Sequence, residues 1–255
     1  MRTTANAHHP RLGYTAPVDV ALRVHYPRRR SSEAVLDKLP DIGVVTRNRY
    51  GAQVLNADAV MFLDWDVTSK DIRAALPAPI GLLGRVSRIF RGVTDADRET
   101  AVQRVKGVLE STVRARVAEL GIGLRLYETR NGLRGIVTSD RFDPTDDLAQ
   151  DLMRFLGADP LYARLCRVQA TFRARLTPKF WRVGLTTRPA KTPPATREEH
   201  AAMRAWLERY EAHCTRFATA RLIAQIGANA SDAVILEVLR LHDARCKVGT
   251  GLELA

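Results

Sequence analysis

Hydrophobic and polar positions follow two periods along the chain. The clearest is helical. Thr94-Asp95-Ala96-Asp97 offers a cap and an acidic first turn, after which Val102, Val105, Leu109, Val113, Val117 and Leu120 recur on one face. Arg98, Arg104, Lys106, Arg114 and Arg116 fall largely off that face, and Gly121 and Gly123 end the helix. Strand-like runs dominate elsewhere. Gly51 to Leu55 and Val60 to Val67 flank Asn56-Ala57-Asp58, which predicts a hairpin. Gly123 to Thr129 and Leu133 to Ser139 flank Asn131-Gly132, a strong hairpin signal. Thr171 to Leu176 reads as a further strand, Thr219 to Ile226 as a strand with a helix as the alternative, and Val18 to Val24 as a short edge strand.

Shorter helices are predicted from their caps and stops. Ser31-Ser32-Glu33 caps one that runs to Leu39, where Pro40 stops it. Residues 69 to 93 mix helical turns with Pro77, Pro79, Gly81 and Gly84. Asp143-Pro144-Thr145 opens a helix through Phe155, and Asp159-Pro160 opens another through about residue 167. Thr196 caps a helix containing Met203, Trp206, Leu207 and Tyr210, and Ser231 begins a last one with Ile235, Val238, Leu239 and His242. The order predicts an α+β fold, a mostly antiparallel sheet flanked by helices. Residues 1 to 30 read as a flexible basic arm, 31 to 183 as the α+β core, 184 to 196 as a linker or loop, and 197 to 255 as C-terminal helices and a strand. The last part belongs either to a separate helical element or to one continuous domain.

Composition adds a bias in charge. The 255 residues include 40 Lys plus Arg against 28 Asp plus Glu, a formal net charge of +12, with an isoelectric point near 10.2. That excess points to a polyanionic partner, nucleic acid first and nucleotides second. A GC-rich genome also enriches arginine, so charge alone does not decide. Cys166, Cys214 and Cys246 show no metal-ligand or disulfide spacing, which fits a reducing, cytoplasmic compartment. No apolar run reaches the length of a membrane span, and no signal-like segment opens the chain. Phosphate-loop, dinucleotide-binding, zinc-protease and nucleophile-elbow motifs are all absent.

The candidate chemistry centres on Asp64 and Asp66. Strand alternation puts both carboxylates on one face and Trp65 on the other, in the core. Two like charges so close are relieved by a proton, an arginine or a divalent cation. Trp181 and Trp206 also read as core residues, and His242-Asp243 as a polar pair on a helix surface. Arg173 and Arg175 share a strand face. They offer either a phosphate clamp or a metal-free ion-pair network with Asp64 and Asp66.

Asp-x-Asp at a strand end, a long helix, the hairpin Tyr127 to Val137 and a basic strand follow in that order. This order resembles the archaeo-eukaryotic primase superfamily, which includes primase-polymerases. The resemblance implies a primase-like catalytic core that joins nucleoside triphosphates to DNA or RNA. Asp64 and Asp66 would hold Mg²⁺ or Mn²⁺. Asn131 falls on the turn of the second motif, and Arg134 stands where the family has a histidine. Arginine binds phosphate but cannot act as a base near neutral pH. Asp159 is the third catalytic carboxylate by this resemblance. Asp143 competes for that place, and Asp159 reads locally as a helix cap. Arg173, Arg175, Lys179 and Arg182 would bind the triphosphate. The alternative is a non-catalytic nucleic-acid-binding protein on a degenerate primase-like scaffold. The segment Phe172 to Arg182 also resembles a group of uncharacterised bacterial proteins.

Overall fold

The computed structural model describes residues 8–9, 14–15, 33–76, 93–188 and 194–255. The predicted strand at Val18 to Val24, the arm's arginine run and parts of segments 69 to 93 and 184 to 196 lie outside those residues. Among the described residues no helix is long and apolar enough to cross a membrane.

In chain order the strands begin with β1 (His8–His9), β2 (Tyr14–Thr15), β3 (Ala34–Leu39), β4 (Gly43–Arg47), β5 (Gln53–Ala57) and β6 (Phe62–Asp66). Helices α1 (Ser69–Ala75) and α2 (Asp95–Leu120) follow, then strands β7 (Leu124–Thr129) and β8 (Gly132–Val137). Next come α3 (Asp147–Leu156), α4 (Pro160–Gln169), β9 (Phe172–Arg175) and a single 3₁₀ turn, Phe180–Val183. The chain finishes with α5 (Arg197–Cys214), β10 (Phe217–Ala218), β11 (Arg221–Ile226), α6 (Ala233–Cys246) and β12 (Glu253–Leu254).

Two four-stranded antiparallel sheets organise the molecule. One has the order β11-β7-β8-β6, the other β3-β4-β5-β9. The fold is thus α+β with antiparallel sheets flanked by helices. The register of the first sheet sorts its side chains. Leu63, Trp65, Leu133, Gly135, Leu124 and Leu126 share one face, with Phe62, Asp64, Arg134, Ile136, Tyr127 and Arg125 on the other. Val113 and Val117 of α2 and Leu152, Met153 and Leu156 of α3 join the first set in the core. Trp65 is buried as alternation predicts, and its indole N–H donates to the Leu156 carbonyl at 3.1 Å. Each such fully buried large side chain contributes roughly 1.5–3 kcal/mol. Helix α6 covers part of the second face, where Tyr127 packs on the buried His242 ring.

The facing edges β6 and β9 are not hydrogen-bonded to each other. Tyr162 fills that gap: its hydroxyl donates to the Phe62 carbonyl at 3.2 Å and accepts from the Arg173 N–H at 3.3 Å. A smaller cluster sits around α5, where Val183, Trp206, Tyr210 and Cys214 are buried with Ala255.

Several expectations are corrected. Residues 34–39 form strand β3, not a helix, because β4 supplies an antiparallel partner. A helix of this length would be too short to recover its nucleation cost. Asn56 lies within β5 rather than in a turn; its amide donates to Thr46 Oγ1 at 2.9 Å. Consequently β5 pairs with β4 and β9, and makes no hairpin with β6. The β7–β8 turn is Arg130-Asn131, with Gly132 already paired to Thr129. The Gly132 requirement is close approach: a Cβ there would stand 1.9 Å from the Trp65 carbonyl oxygen. Helix α3 begins after Asp146, beyond Pro144.

Lys106 is 6% exposed rather than off the buried face. Its ammonium donates to Glu128 and to the Thr129 carbonyl, both at 2.9 Å, which compensates its desolvation. His242-Asp243 is not a surface pair either. His242 is fully buried, and its Nδ1 lies 3.0 Å from an Asp243 oxygen that also accepts from the Tyr127 hydroxyl.

Candidate anion-binding cleft

The carboxylates at the end of β6 meet cations from three other elements. Cross-strand pairing sets Asp64 directly opposite Arg134 of β8. Arg134 is only 2% exposed. Its Nε donates to Asp64 Oδ1 at 3.1 Å, and one terminal nitrogen donates to the Arg175 carbonyl at 2.8 Å. This side chain therefore ties β8 to both β6 and β9. Burial opposes the guanidinium charge, but the Asp64 carboxylate more than restores it, and the pKa of Arg134 is raised. The position that resembles the family histidine thus holds a permanent cation committed to Asp64.

Asp66 is exposed and makes no ion pair among the described residues. Partial withdrawal from water pushes its pKa up, and the negative charges of Asp64 and Asp159 push it further. Lys179 and Arg175 pull the other way. Asp159 is brought to this place by its backbone N–H, which donates to the Asp64 carbonyl at 2.9 Å. Its side chain accepts from the Tyr162 N–H at 2.8 Å and so caps α4, as local sequence predicts. Asp143 is not brought here; its carboxylate accepts from the Thr145 N–H and hydroxyl in a local turn. Asn131 reaches the cleft through its backbone, its carbonyl accepting from the Val67 N–H at 2.8 Å.

The four basic candidates separate. Arg173 turns away: one terminal nitrogen donates to both Glu33 oxygens, at 2.9 and 2.7 Å, and the other to Gln169. It therefore neither clamps phosphate beside Arg175 nor neutralises Asp64 and Asp66. Arg175, Lys179 and Arg182 stay together and form no ion pair with a carboxylate among the described residues. Arg175 also has a buried Nε without a hydrogen-bond partner. Burial lowers its pKa, and the adjacent Arg134 charge lowers it further against the pull of Asp64 and Asp66. Lys179 is depressed by burial and then by Arg175 and Arg182. Arg182 is pushed down to about 10 by burial and by Arg175, with Arg130 adding to the repulsion. Arg130 was not singled out in the sequence; its place beside Gly132 in the turn was the available signal.

The donor set for a cation is narrow. Asp66 and the second oxygen of Asp64 remain for Mg²⁺ or Mn²⁺, and Asp159, with one oxygen engaged as a cap, keeps its second. Among the described residues no group of three or more His, Cys, Asp or Glu side chains converges closely enough to hold a metal ion. Two carboxylates with water in the other positions suit Mg²⁺, which keeps much of its hydration shell. Arg175, Lys179 and Arg182 lie beside this carboxylate group, and the charge of Asp66 acts on all three. No family model, curated protein or solved structure matches the chain.

Proposed function

We propose that this cleft binds the phosphates of a nucleic acid or nucleoside triphosphate, and that the chain is a nucleic-acid-binding protein on a primase-like scaffold. The observation that carries this reading is the cluster of Arg175, Lys179 and Arg182. Arg175 lowers the pKa of both Lys179 and Arg182, and among the described residues no carboxylate stands in ion-pair contact with any of the three. A phosphate group would relieve that repulsion and supply the acceptor the buried Arg175 Nε lacks. The net charge of +12 favours the same class of ligand. Arg134, engaged with Asp64, suits a scaffold in which the histidine role has been given up.

A second reading, metal-dependent nucleotidyl transfer, has its own support. Asp66 is strained by two neighbouring carboxylates, a charge imbalance that a divalent cation relieves. Strands β6 and β7 are joined through α1 and α2 and lie parallel with β8 between them, which makes a split β-α-β unit. In this reading Asp64 and Asp66 hold Mg²⁺ or Mn²⁺, which would neutralise the triphosphate and polarise its α-phosphate.

Anisotropy titrations of labelled oligonucleotide and labelled nucleoside triphosphate, in EDTA and then in Mn²⁺, separate the two. Binding that persists in EDTA and in Asp66→Asn, and weakens in Lys179→Ala/Arg182→Ala, supports the first. Binding that requires metal and is lost in Asp66→Asn, with nucleotide incorporation on a primed template, supports the second. No binding of either ligand at low salt refutes both.

A further inference from the structure

Beside the cleft lies an aromatic surface that the phosphate reading does not use. Trp181, expected in the core, is 47% exposed. Tyr50 meets it edge-on at 5.5 Å and an interplanar angle of 88°, and Phe180 does the same at 4.9 Å and 88°. These perpendicular contacts fix the indole without laying a parallel ring on it. Trp206 shows the contrast: it is buried, and Tyr210 is stacked on it at 5.3 Å and 6°.

Cations lie over both rings, of which Trp181 is exposed and Tyr50 half-buried. The Lys179 ammonium lies 5.4 Å from the Trp181 ring centre, and the Arg49 and Arg188 guanidinium carbons lie 4.8 and 5.4 Å from that of Tyr50. Among the described residues none of these three cations pairs with a carboxylate. One terminal nitrogen of Arg188 is buried without a hydrogen-bond partner. Lys179 belongs to both places, since its charge also acts on Asp66 in the cleft.

We propose that Trp181, held edge-on by Tyr50, forms a stacking platform for an unpaired base of a single-stranded nucleic acid, whose backbone continues past Lys179 to the cleft. Aromatic rings interleaved with unpaired cations are the arrangement that binds single strands: bases stack on the rings while the cations track phosphates. A duplex keeps its base faces stacked internally and offers none to a protein ring. An acidic peptide satisfies the cations but has no flat π surface for the indole. The proposal rests on the phosphate reading and adds the class of strand and the residues that hold its bases.

The test uses the full chain and a short fluorescein-labelled oligothymidylate, an oligouridylate and a matching abasic deoxyribose-phosphate strand, with polyglutamate as competitor. Trp181→Ala is expected to weaken both base-bearing strands about tenfold, or ~1.4 kcal/mol, within the range for one stacked base. Trp181→Phe is expected to retain most of the affinity. The abasic strand should bind the wild type more weakly and be indifferent to Trp181→Ala. Unchanged unfolding midpoints exclude a folding defect, as the exposed position of Trp181 leads one to expect. Base-bearing strands that bind Trp181→Ala as tightly as wild type overturn the platform while leaving the phosphate reading intact. An equal loss on the abasic strand, or Trp181-dependent competition by polyglutamate, also overturns it. Failure of the wild type to bind any strand at low salt removes the phosphate reading itself.

Discussion

Replacing Arg134 with methionine removes a side chain that joins β6, β8 and β9. The Arg175 carbonyl then loses its donor, and Asp64 loses its paired cation. Each charge-assisted bond is worth roughly 1.5–3 kcal/mol. Asp64 keeps 29% side-chain exposure, so it rehydrates, and methionine fills much of the vacated volume. The expected net loss for Arg134→Met is about 2–3 kcal/mol. Asp64→Ala leaves the opposite situation: a guanidinium only 2% exposed with its counter-charge gone. Removing one partner of a buried pair costs about 3–5 kcal/mol, so this change is expected to be the more harmful of the two. Urea unfolding of both single variants and the double variant gives the cycle directly, with an expected coupling of about 1.5–3 kcal/mol. A reversed order of the singles, or a coupling below ~0.5 kcal/mol, refutes the assignment of Arg134 as a buried partner of Asp64.

Other expectations follow from single observations. Lys106→Ala leaves Glu128 with Arg221 alone and opens a void in the middle of α2, and should cost roughly 1–3 kcal/mol by urea unfolding, whereas Lys106→Met should cost markedly less; equal losses contradict the pairing. Burial alone pushes the Asp58 carboxyl up to about 6 in the folded protein, from an ordinary value of 3.8. The native state therefore binds more protons than the unfolded state across that window, so this group makes stability fall as pH rises through it. Asp58→Asn should be stabilising by about 1–2 kcal/mol above pH ~7, after allowance for partial solvent screening, and neutral near pH ~3; a gain that does not vary with pH contradicts this. Gly132→Ala forces a methyl group against the Trp65 carbonyl and should cost about 2–3 kcal/mol in thermal or urea unfolding; an unchanged midpoint would show that β6 and β8 do not approach this closely.

Local chemistry made part of this structure legible. The capping box of Thr94 and Asp97 and the left-handed Gly121 delimit α2 as the sequence predicts. Alternation placed Trp65 in the core and both aspartates on the other face. What stayed hidden depended on register and on distant partners. The facing of Asp64 and Arg134 depends on how β6 slides against β8, and nothing in either strand alone specifies that. Arg173 and Arg175 have the same alternation and similar neighbours. Glu33, 140 residues away in sequence, captures one and leaves the other. Residues 34–39 follow a plausible helix cap, but their state is decided by pairing with Val44-Val45-Thr46 of β4, a run too short to signal a strand by itself. Trp181 looked like a core residue by type alone. Its neighbours Lys179 and Arg182 and the polar loop after Gly184 were the signals of a surface.

Salt dependence of single-strand binding tests the anion-binding cleft most directly. Each phosphate neutralised on a single strand adds about −0.7 to the slope of log K against log salt. Lys179→Ala/Arg182→Ala removes two of the unpaired cations and should flatten that slope by about 1.4 relative to wild type, with the folded state retained. A slope identical in the two proteins would mean that the cleft carries no phosphate, and would contradict the account at its centre.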